Sequence, residues 1–247
     1  MIVKLVTYNI HRAIGVDRRF RPDRVIDILK HHDADLALLQ EVDEGVPRSR
    51  EMDLAREIGK EAGYPHIAAG YNVSLRKGRY GNAILSRWPF QIHRNIDLTI
   101  GTRKRRGCMH ARVTIEKPQH ARVLDVFNLH LGLSASERMR QVGELVRSKE
   151  FQDVPADATC FVAGDFNDWL SQLHPIFLDI LGFKSATGDR FGYPARIRTY
   201  PSFTPTGTLD RIYFRGPLRL IAARGCRLAA SRVASDHLPI VAEFELT

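Results

Sequence analysis

The chain of 247 residues has no apolar run long enough to cross a membrane. Its first residues, MIVKLV, are too short for the hydrophobic region of a signal peptide, so we expect a cytoplasmic protein. The three cysteines, Cys108, Cys160 and Cys226, are odd in number and lack C-x-x-C spacing. This pattern argues against a disulfide framework or a zinc site and predicts reduced core residues.

A proline- or serine-rich linker is also missing, so we expect one domain across residues 1–247. A composition of 44% hydrophobic and 26% charged residues excludes general disorder. Acidic residues are in the minority, because 37 basic residues against 28 acidic ones give a net charge of +9. This charge favours nucleic acid, anionic lipid headgroups or phosphorylated metabolites as partners, unless the excess arginine only keeps the surface solvated.

The hydrophobic pattern predicts alternating strands and helices. Pro22 suits the first turn of a helix, and Ser134 with Glu137 forms a capping box at the start of another. The predicted helices cover residues 22–32, 51–63, 134–149 and 171–181. The predicted strands cover residues 2–8, 35–40, 66–70, 82–86, 92–97, 107–115, 121–128, 159–163, 209–214, 218–223 and 238–245.

The two halves of the sequence resemble each other. Residues 8–11 parallel residues 127–130, residues 40–43 parallel 164–168, and residues 81–84 parallel 209–212. In this alignment Asn9 corresponds to Asn128. We therefore predict an α/β fold of two pseudo-symmetric halves packed face to face, with polar strand ends at one rim.

Polar side chains stand where several predicted strands end. The strand CFVA runs into Gly164 and Asp165, another strand ends at Glu41, and Asp236 and His237 precede the last strand. Buried carboxylates are costly unless they converge on a metal ion or a phosphoryl group. The pattern therefore predicts a metal-dependent phosphoester hydrolase.

Seven motifs occur in order between residues 7 and 239: TYNIH, LLQEVD, GNAILS, NLHLG, GDFND, LDRI and SDHLP. Together they resemble the endonuclease/exonuclease/phosphatase superfamily, which includes DNase I-like nucleases, neutral sphingomyelinases and inositol polyphosphate phosphatases. The segment NLHLGLSASERMRQ most resembles small bacterial members of unassigned substrate. The resemblance implies a four-layer α/β/β/α sandwich with mixed sheets, in agreement with the internal repeat.

Asn9, Glu41 and Asp236 are the candidate metal ligands. Their carboxylate and amide oxygens suit Mg²⁺, with Mn²⁺ as a substitute, and the lack of a His/Cys cluster argues against zinc. The resemblance implies that Glu41 is the main ligand. The alternatives are a turn-forming Asn9 and a surface carboxylate at Glu41.

His237 and Asp210 match the His–Asp pair of the family. A carboxylate bonded to one ring nitrogen fixes the tautomer and raises the basicity of the other nitrogen. Asp165 matches the aspartate beside the attacking water, so either Asp165 or His237 takes the proton. Asn167 matches the residue that binds a non-bridging phosphate oxygen.

Four further residues are candidates for phosphate or substrate binding. His130 matches a histidine that donates to the phosphate in nuclease-like and sphingomyelinase-like members. Asn82 matches a position at the same rim, and we expect it to bond His130 or phosphate. Asn128 binds phosphate or simply packs, and Arg103, in the basic hairpin tip RKRR, is expected to contact an anionic substrate.

The substrate stays open between two classes of phosphodiester. Nucleic acid is favoured by the basic loops and by Phe20 and Tyr80, which could stack on bases. A phospholipid headgroup is the other candidate, with peripheral contact to an anionic membrane. Arg211 stands where many members of the family have an aromatic residue, which leaves the substrate undecided. A phosphomonoesterase acting on inositol phosphates and a non-catalytic anion-binding module are the alternatives.

Overall fold

The computed structural model describes residues 1–115, 121–188 and 196–247, which form two six-stranded mixed sheets. The strands are numbered along the chain. From edge to edge, the first sheet contains β11 (Leu218–Gly225), β12 (Ile240–Leu246), β1 (Ile2–Asn9), β2 (Leu36–Glu44), β4 (Arg79–Ser86) and β3 (His66–Ser74). The second contains β5 (Phe90–Asp97), β6 (Gly107–Ile115), β7 (Arg122–His130), β8 (Cys160–Asp165), β10 (Asp210–Arg215) and β9 (Lys184–Ser185).

The two sheets repeat one arrangement of strands, which confirms the pseudo-symmetric halves predicted from the sequence. Each sheet has one parallel pair, β1–β2 or β7–β8, and its other neighbouring strands are antiparallel. The residue alignment needs a correction. In the first sheet Asn9 lies beside Gln40, which pairs with Asn82. In the second sheet His130 lies beside Asp165, which pairs with Asp210, the residue that the sequence alignment matches to Asn82. The register therefore relates Asn9 to His130, and not to Asn128.

The helices cover the outer faces of the sheets. On the first sheet lie α1 (Pro22–His32) and α2 (Leu54–Glu61), and on the second lie α3 (Ala135–Arg147) and α4 (Lys149–Gln152). Buried apolar side chains fill the space between the layers. Leu38 and Phe161 belong to the cluster between the sheets, Val25 of α1 packs in the cluster on the first sheet, and Val142 of α3 packs in the cluster on the second. The result is the four-layer α/β/β/α sandwich that the family resemblance implies. No helix among the described residues is both long and apolar enough to span a bilayer.

The helix predicted for residues 171–181 is wrong at its start. Residues 171–173 are not helical, and a helical stretch that begins at residue 174 continues as the five-residue π-helix Ile176–Ile180. Upstream, the Asp168 carboxylate accepts the backbone N–H of Leu173 at 2.8 Å, and Ser171 has a positive φ of 55°. This turn occupies backbone groups that the first turn of a helix would use, and Pro175 has no backbone N–H to donate.

Two other predicted helices are shorter than expected. The helix predicted from residue 51 begins at Leu54, because Asp53 caps it by accepting the Arg56 N–H at 3.1 Å. The helix predicted for residues 134–149 breaks at Ser148, whose side chain caps the short helix that follows. The sequence pattern also missed β9 and the four-residue helix α5 (Ser231–Ala234).

Candidate active site

His237 and Asp210 form a buried pair at the joined ends of the two sheets. The Asp210 Oδ2 atom lies 2.8 Å from His237 Nδ1 and accepts a hydrogen bond from Thr199 Oγ1 at 2.5 Å. Asp210 begins β10 and His237 precedes β12, so the pair joins one sheet to the other. The bond from Nδ1 orients the imidazole and leaves its Nε2 atom available for chemistry.

Asp165 ends β8 directly opposite the pair. Its Oδ2 accepts a hydrogen bond from Asn9 Nδ2 at 3.0 Å, and its Oδ1 accepts the backbone N–H of Asn167 at 2.9 Å. The same Oδ2 lies 3.7 Å from His237 Nε2 and 3.5 Å from His130 Nε2. Both separations are longer than a direct hydrogen bond, so the Asp165 carboxylate faces two imidazoles without being hydrogen-bonded to either.

Gly164 allows the strands to meet at this point. Its φ is +138°, and an added Cβ would lie only 2.0 Å from the backbone oxygen of Leu129. A larger residue would separate β7 from β8, and with them His130 from Asp165. The close approach of β7 and β8 therefore requires glycine at this position of the GDFND motif.

Burial and charge shift the pKa values of Asp165, His237 and His130. Burial raises the pKa of Asp165 to about 6, against the opposing charge of His237. Burial by itself lowers the pKa of His237, but the charges of Asp210 and Asp165 outweigh this and raise it to about 10. Burial, with the positive charges of Arg106 and His237, holds the pKa of His130 well below its usual range. At neutral pH the site therefore contains an imidazolium at position 237 and a neutral imidazole at position 130.

The three predicted metal ligands lie at the same end of the first sheet. Asn9 ends β1, Asp236 precedes the neighbouring β12, and Glu41 occupies a bulge in the neighbouring β2 with a φ of +57°. The bulge turns Glu41 out of the strand alternation, where its Oε2 lies 3.3 Å from Arg12 Nε. Asp236 Oδ1 is 4.0 Å from His11 Nδ1.

The donor set fits a hard divalent cation. The carboxylates of Asp165 and Asp210 lie within 4.8 Å of each other and of His237. Asp210 Oδ1 is buried without a hydrogen-bond partner, which leaves one carboxylate oxygen free to accept. Glu41 and Asp236 add two carboxylates at the end of the first sheet, and such oxygen donors suit Mg²⁺ or Mn²⁺ better than a soft metal.

The predicted phosphate-binding residues separate into two groups. Asn82 and His130 line one small cavity with Arg106, and Asn82 Nδ2 donates to the backbone oxygen of Gly107 at 2.9 Å. Asn167 Nδ2 donates to the Leu131 oxygen at 3.0 Å, next to His130. His130 and Asn167 therefore lie beside Asp165, and Asn82 shares a cavity with His130.

Asn128 has a different position from the one expected for a phosphate ligand. Its Nδ2 donates to the backbone oxygens of Leu39 and Ala83 at 2.9 Å, and its Oδ1 accepts from Gln40 Nε2 at 2.7 Å. The side chain is fully buried between the sheets, so it ties them together and has no donor left for a substrate. Arg103 is exposed at the hairpin tip, 3.5 Å from Glu137.

Sequence reasoning missed two residues of the site. Thr199 lies in a segment without a motif, and nothing in the sequence relates it to Asp210. Arg106 belongs to the RKRR run that was interpreted as an exposed tip, yet its side chain is buried and its Nε has no partner. Its burial beside a histidine follows from the packing of the hairpin against β7, which the sequence does not show.

A four-layer sandwich with an acid–histidine centre at the joined ends of its sheets defines the DNase I-like class of phosphoester hydrolases. The sequence model of the Endonuclease/Exonuclease/phosphatase family matches residues 6–237. The chain belongs to this family.

Several relatives share most of the chain. The protein YbhP of Escherichia coli strain K12, itself uncharacterized, is 30% identical over 252 residues, covering 98% of this chain and 96% of YbhP. The structure of an endonuclease/exonuclease/phosphatase from Beutenbergia cavernae superposes with a TM-score of 0.78 at 19% identity, covering 99% of this chain and 72% of the other.

Two eukaryotic structures have the same fold. The human Nocturnin catalytic domain with a bound sulfate anion gives a TM-score of 0.77 at 20% identity, covering 100% of this chain and 94% of the other. TDP2 of D. rerio, complexed with a single-strand DNA product, gives 0.72 at 18% identity and covers 99% of both chains.

Proposed function

We propose that the protein is a divalent-cation-dependent phosphodiesterase that hydrolyses nucleic acid by in-line attack of water on phosphorus. The observation that carries the proposal is the position of Asp165, whose carboxylate faces both His237 and His130 without a direct hydrogen bond to either. A buried carboxylate with a raised pKa beside an imidazolium is an arrangement suited to acid–base chemistry.

Asp165 is the proton acceptor in this proposal. With a pKa near 6 it is a carboxylate at neutral pH and still basic enough to take a proton from the attacking water. His237 has a raised pKa and is already protonated, so it cannot act as the base. Instead it donates from Nε2 to a phosphate oxygen, while Asp210 holds the ring and balances its charge.

Charge that develops on the phosphate meets donors already in place. Neutral His130 donates one hydrogen bond, and Arg106 supplies a full positive charge. Asn82 lines the same cavity as His130, and Asn167 is bonded to the Leu131 oxygen beside it. The proton from water goes to Asp165, the new P–O bond forms from the water oxygen, and the opposite P–O bond breaks with its electrons on the leaving oxygen. A divalent cation held by Glu41, Asn9 and Asp236 would neutralise charge on the phosphate and on the leaving oxygen.

Nucleic acid is the favoured substrate for two reasons. The net charge of +9 suits a long polyanion, and a structural neighbour, TDP2 of D. rerio, is complexed with single-strand DNA. The comparisons give no support for the membrane contact that a phospholipid headgroup would involve. A phosphomonoesterase remains the second chemical alternative, and it differs in needing a terminal phosphate.

The test is hydrolysis by the purified protein with Mg²⁺, Mn²⁺ or EDTA. The substrates are single-stranded DNA, RNA, phospholipid vesicles, bis-p-nitrophenyl phosphate and p-nitrophenyl phosphate. We expect cation-dependent cleavage of a nucleic acid and of the diester, lost in Asp165→Asn and kept in Asp157→Asn, an exposed aspartate elsewhere. Hydrolysis of the monoester alone, or full activity in EDTA or in Asp165→Asn, would overturn the proposal.

A further inference from the structure

A cleft lined by arginine opens at the edge of the first sheet. Its volume is about 470 Å³. Five arginines border it: Arg196, Arg198, Arg224, Arg227 and Arg232. We call it the arginine cleft. The residues come from β11, from the segment that follows it, from α5 and from the segment before β10.

The arginine cleft lies at the catalytic end of the sheet. Gly225, which lines it, pairs with Ile240, only three residues after His237. Ser202, another lining residue, donates its backbone N–H to the backbone oxygen of Asp236 at 2.8 Å. The wall of the cleft and the His237–Asp210 pair are therefore built from the same two segments of chain.

The charge in the cleft is poorly balanced. Of its five arginines, only Arg224 has a carboxylate partner among the described residues, Glu243 at 3.4 Å. Several like charges around one concavity repel each other unless a shared anion neutralises them. Four of these guanidinium groups, none with a carboxylate partner in the part of the chain that the structure describes, therefore border one hollow.

The basic surface extends beyond a single phosphate. A second cleft of about 320 Å³ shares Arg224 and Arg227 with the first and adds Lys4. Phe203, next to the lining residue Ser202, is 58% exposed. Two adjoining cationic clefts with an exposed aromatic ring nearby are suited to a backbone with repeated phosphates and to bases that stack.

We propose that the arginine cleft binds the phosphodiester backbone of a single-stranded nucleic acid whose scissile phosphate lies at Asp165 and His237. The proposal rests on the proposed function for the position of the scissile phosphate, but binding by the cleft is separable from hydrolysis. It assigns the cleft to the part of the strand that flanks the reacting bond.

The test measures binding of a short fluorescein-labelled oligodeoxythymidylate by anisotropy, in EDTA and at several salt concentrations. The variant is Arg227→Gln/Arg232→Gln, and its matched control is Arg122→Gln/Arg219→Gln. The control removes two exposed arginines near the ends of their sheets that lie away from the catalytic site. Because each variant loses two arginines, both proteins have the same net charge. Melting curves verify that both variants are folded.

For the cleft variant we expect a dissociation constant raised by about tenfold or more. The slope of log Kd against log salt should decrease by about 1.4, because each lost phosphate contact on a single strand contributes roughly 0.7. Equal binding by the two double variants would overturn the proposal. So would a cleft variant that loses binding to phosphatidylglycerol vesicles but keeps binding to the strand. Strand binding without hydrolysis by the wild-type protein in Mg²⁺ would instead contradict the proposed function and leave the cleft intact.

Discussion

The Nδ1 atom of His237 lies 2.8 Å from Oδ2 of Asp210, and this contact joins the last strand of one sheet to a strand of the other. The two residues are 27 positions apart in the chain, and each has been brought to the rim by a different half of the sandwich. Asp210 has two effects on the ring: it fixes the tautomer, and its charge overcomes the loss of hydration that would otherwise make the imidazole neutral.

Replacing Asp210 by Asn should therefore remove both effects. We expect kcat to fall by about 10²- to 10⁴-fold, because the ring loses its orientation and its proton. The His110–Asp125 pair gives a matched control, since its Nε2–Oδ1 distance is also 2.8 Å but it lies outside the site. Steady-state rates for Asp210→Asn and Asp125→Asn, below both melting temperatures, should differ greatly; equal losses would contradict a specific role for Asp210.

The pH dependence of kcat should have two limbs. Asp165 accepts a proton only as a carboxylate, and its pKa is raised to about 6, so activity should be lost as the pH falls through 6. His237 donates only as an imidazolium, and its pKa is raised to about 10, so activity should be lost as the pH rises through 10. In Asp210→Asn the alkaline limb should move to lower pH, because burial then acts against a weaker opposing charge. Rates across the full pH range test this. An activity that rises as the pH falls below 6 would identify another base.

Much of this site could be predicted from the sequence because its signals are local. Glu41, Asp165 and His237 each stand in a short motif at a strand end, and polar groups at the ends of buried strands tend to converge. The two halves could be recognised because the strand order is duplicated. The exact alignment of the halves was wrong by two residues, because strand register depends on pairing across the sheet.

Two outcomes depend on packing between elements far apart in the chain. The sequence leaves Asn128 open between phosphate binding and packing, and its side chain faces the other sheet. The apolar residues of segment 171–181 predicted a helix, but a turn held by Asp168 replaces its first residues and a π-helix forms most of the rest. Neither outcome has a signal in the local pattern.

Metal binding should depend on Glu41. Adding Mg²⁺ or Mn²⁺ to the wild-type protein should raise its melting temperature, because a ligand that binds only the folded state stabilises it by about 2.7 kcal/mol at a hundredfold excess over Kd. In Glu41→Gln this increase should largely disappear, and hydrolysis should fall by about 100-fold. Glu61→Gln, at an exposed position on α2, is the control. An unchanged metal-induced shift in Glu41→Gln would remove Glu41 from the metal site.

Asn128→Ala should destabilise the fold. The substitution leaves the buried carbonyl oxygens of Leu39 and Ala83 without their donor, which costs about 3 kcal/mol and lowers Tm by roughly 6–12 °C. Asn95→Ala, an exposed residue on β5, should change stability by about 0.5 kcal/mol or less. Thermal melts of the two variants decide the matter, and an unchanged Tm for Asn128→Ala would show that the carboxamide does not tie the sheets.

Arg106 allows the sharpest separation of function from stability. Its side chain is only 7% exposed, its Nε has no partner, and no carboxylate among the described residues pairs with it. A buried cation without a carboxylate partner lowers the stability of the fold unless an anion binds to it. Arg106→Gln should therefore leave Tm unchanged or raise it. The same substitution removes a charged donor from the phosphate, so kcat/KM should fall by about 10²-fold. Arg76→Gln, an exposed change of the same charge, should alter neither quantity greatly. If Arg106→Gln loses stability and activity together, the side chain supports the hairpin and the phosphate contact has to be assigned elsewhere.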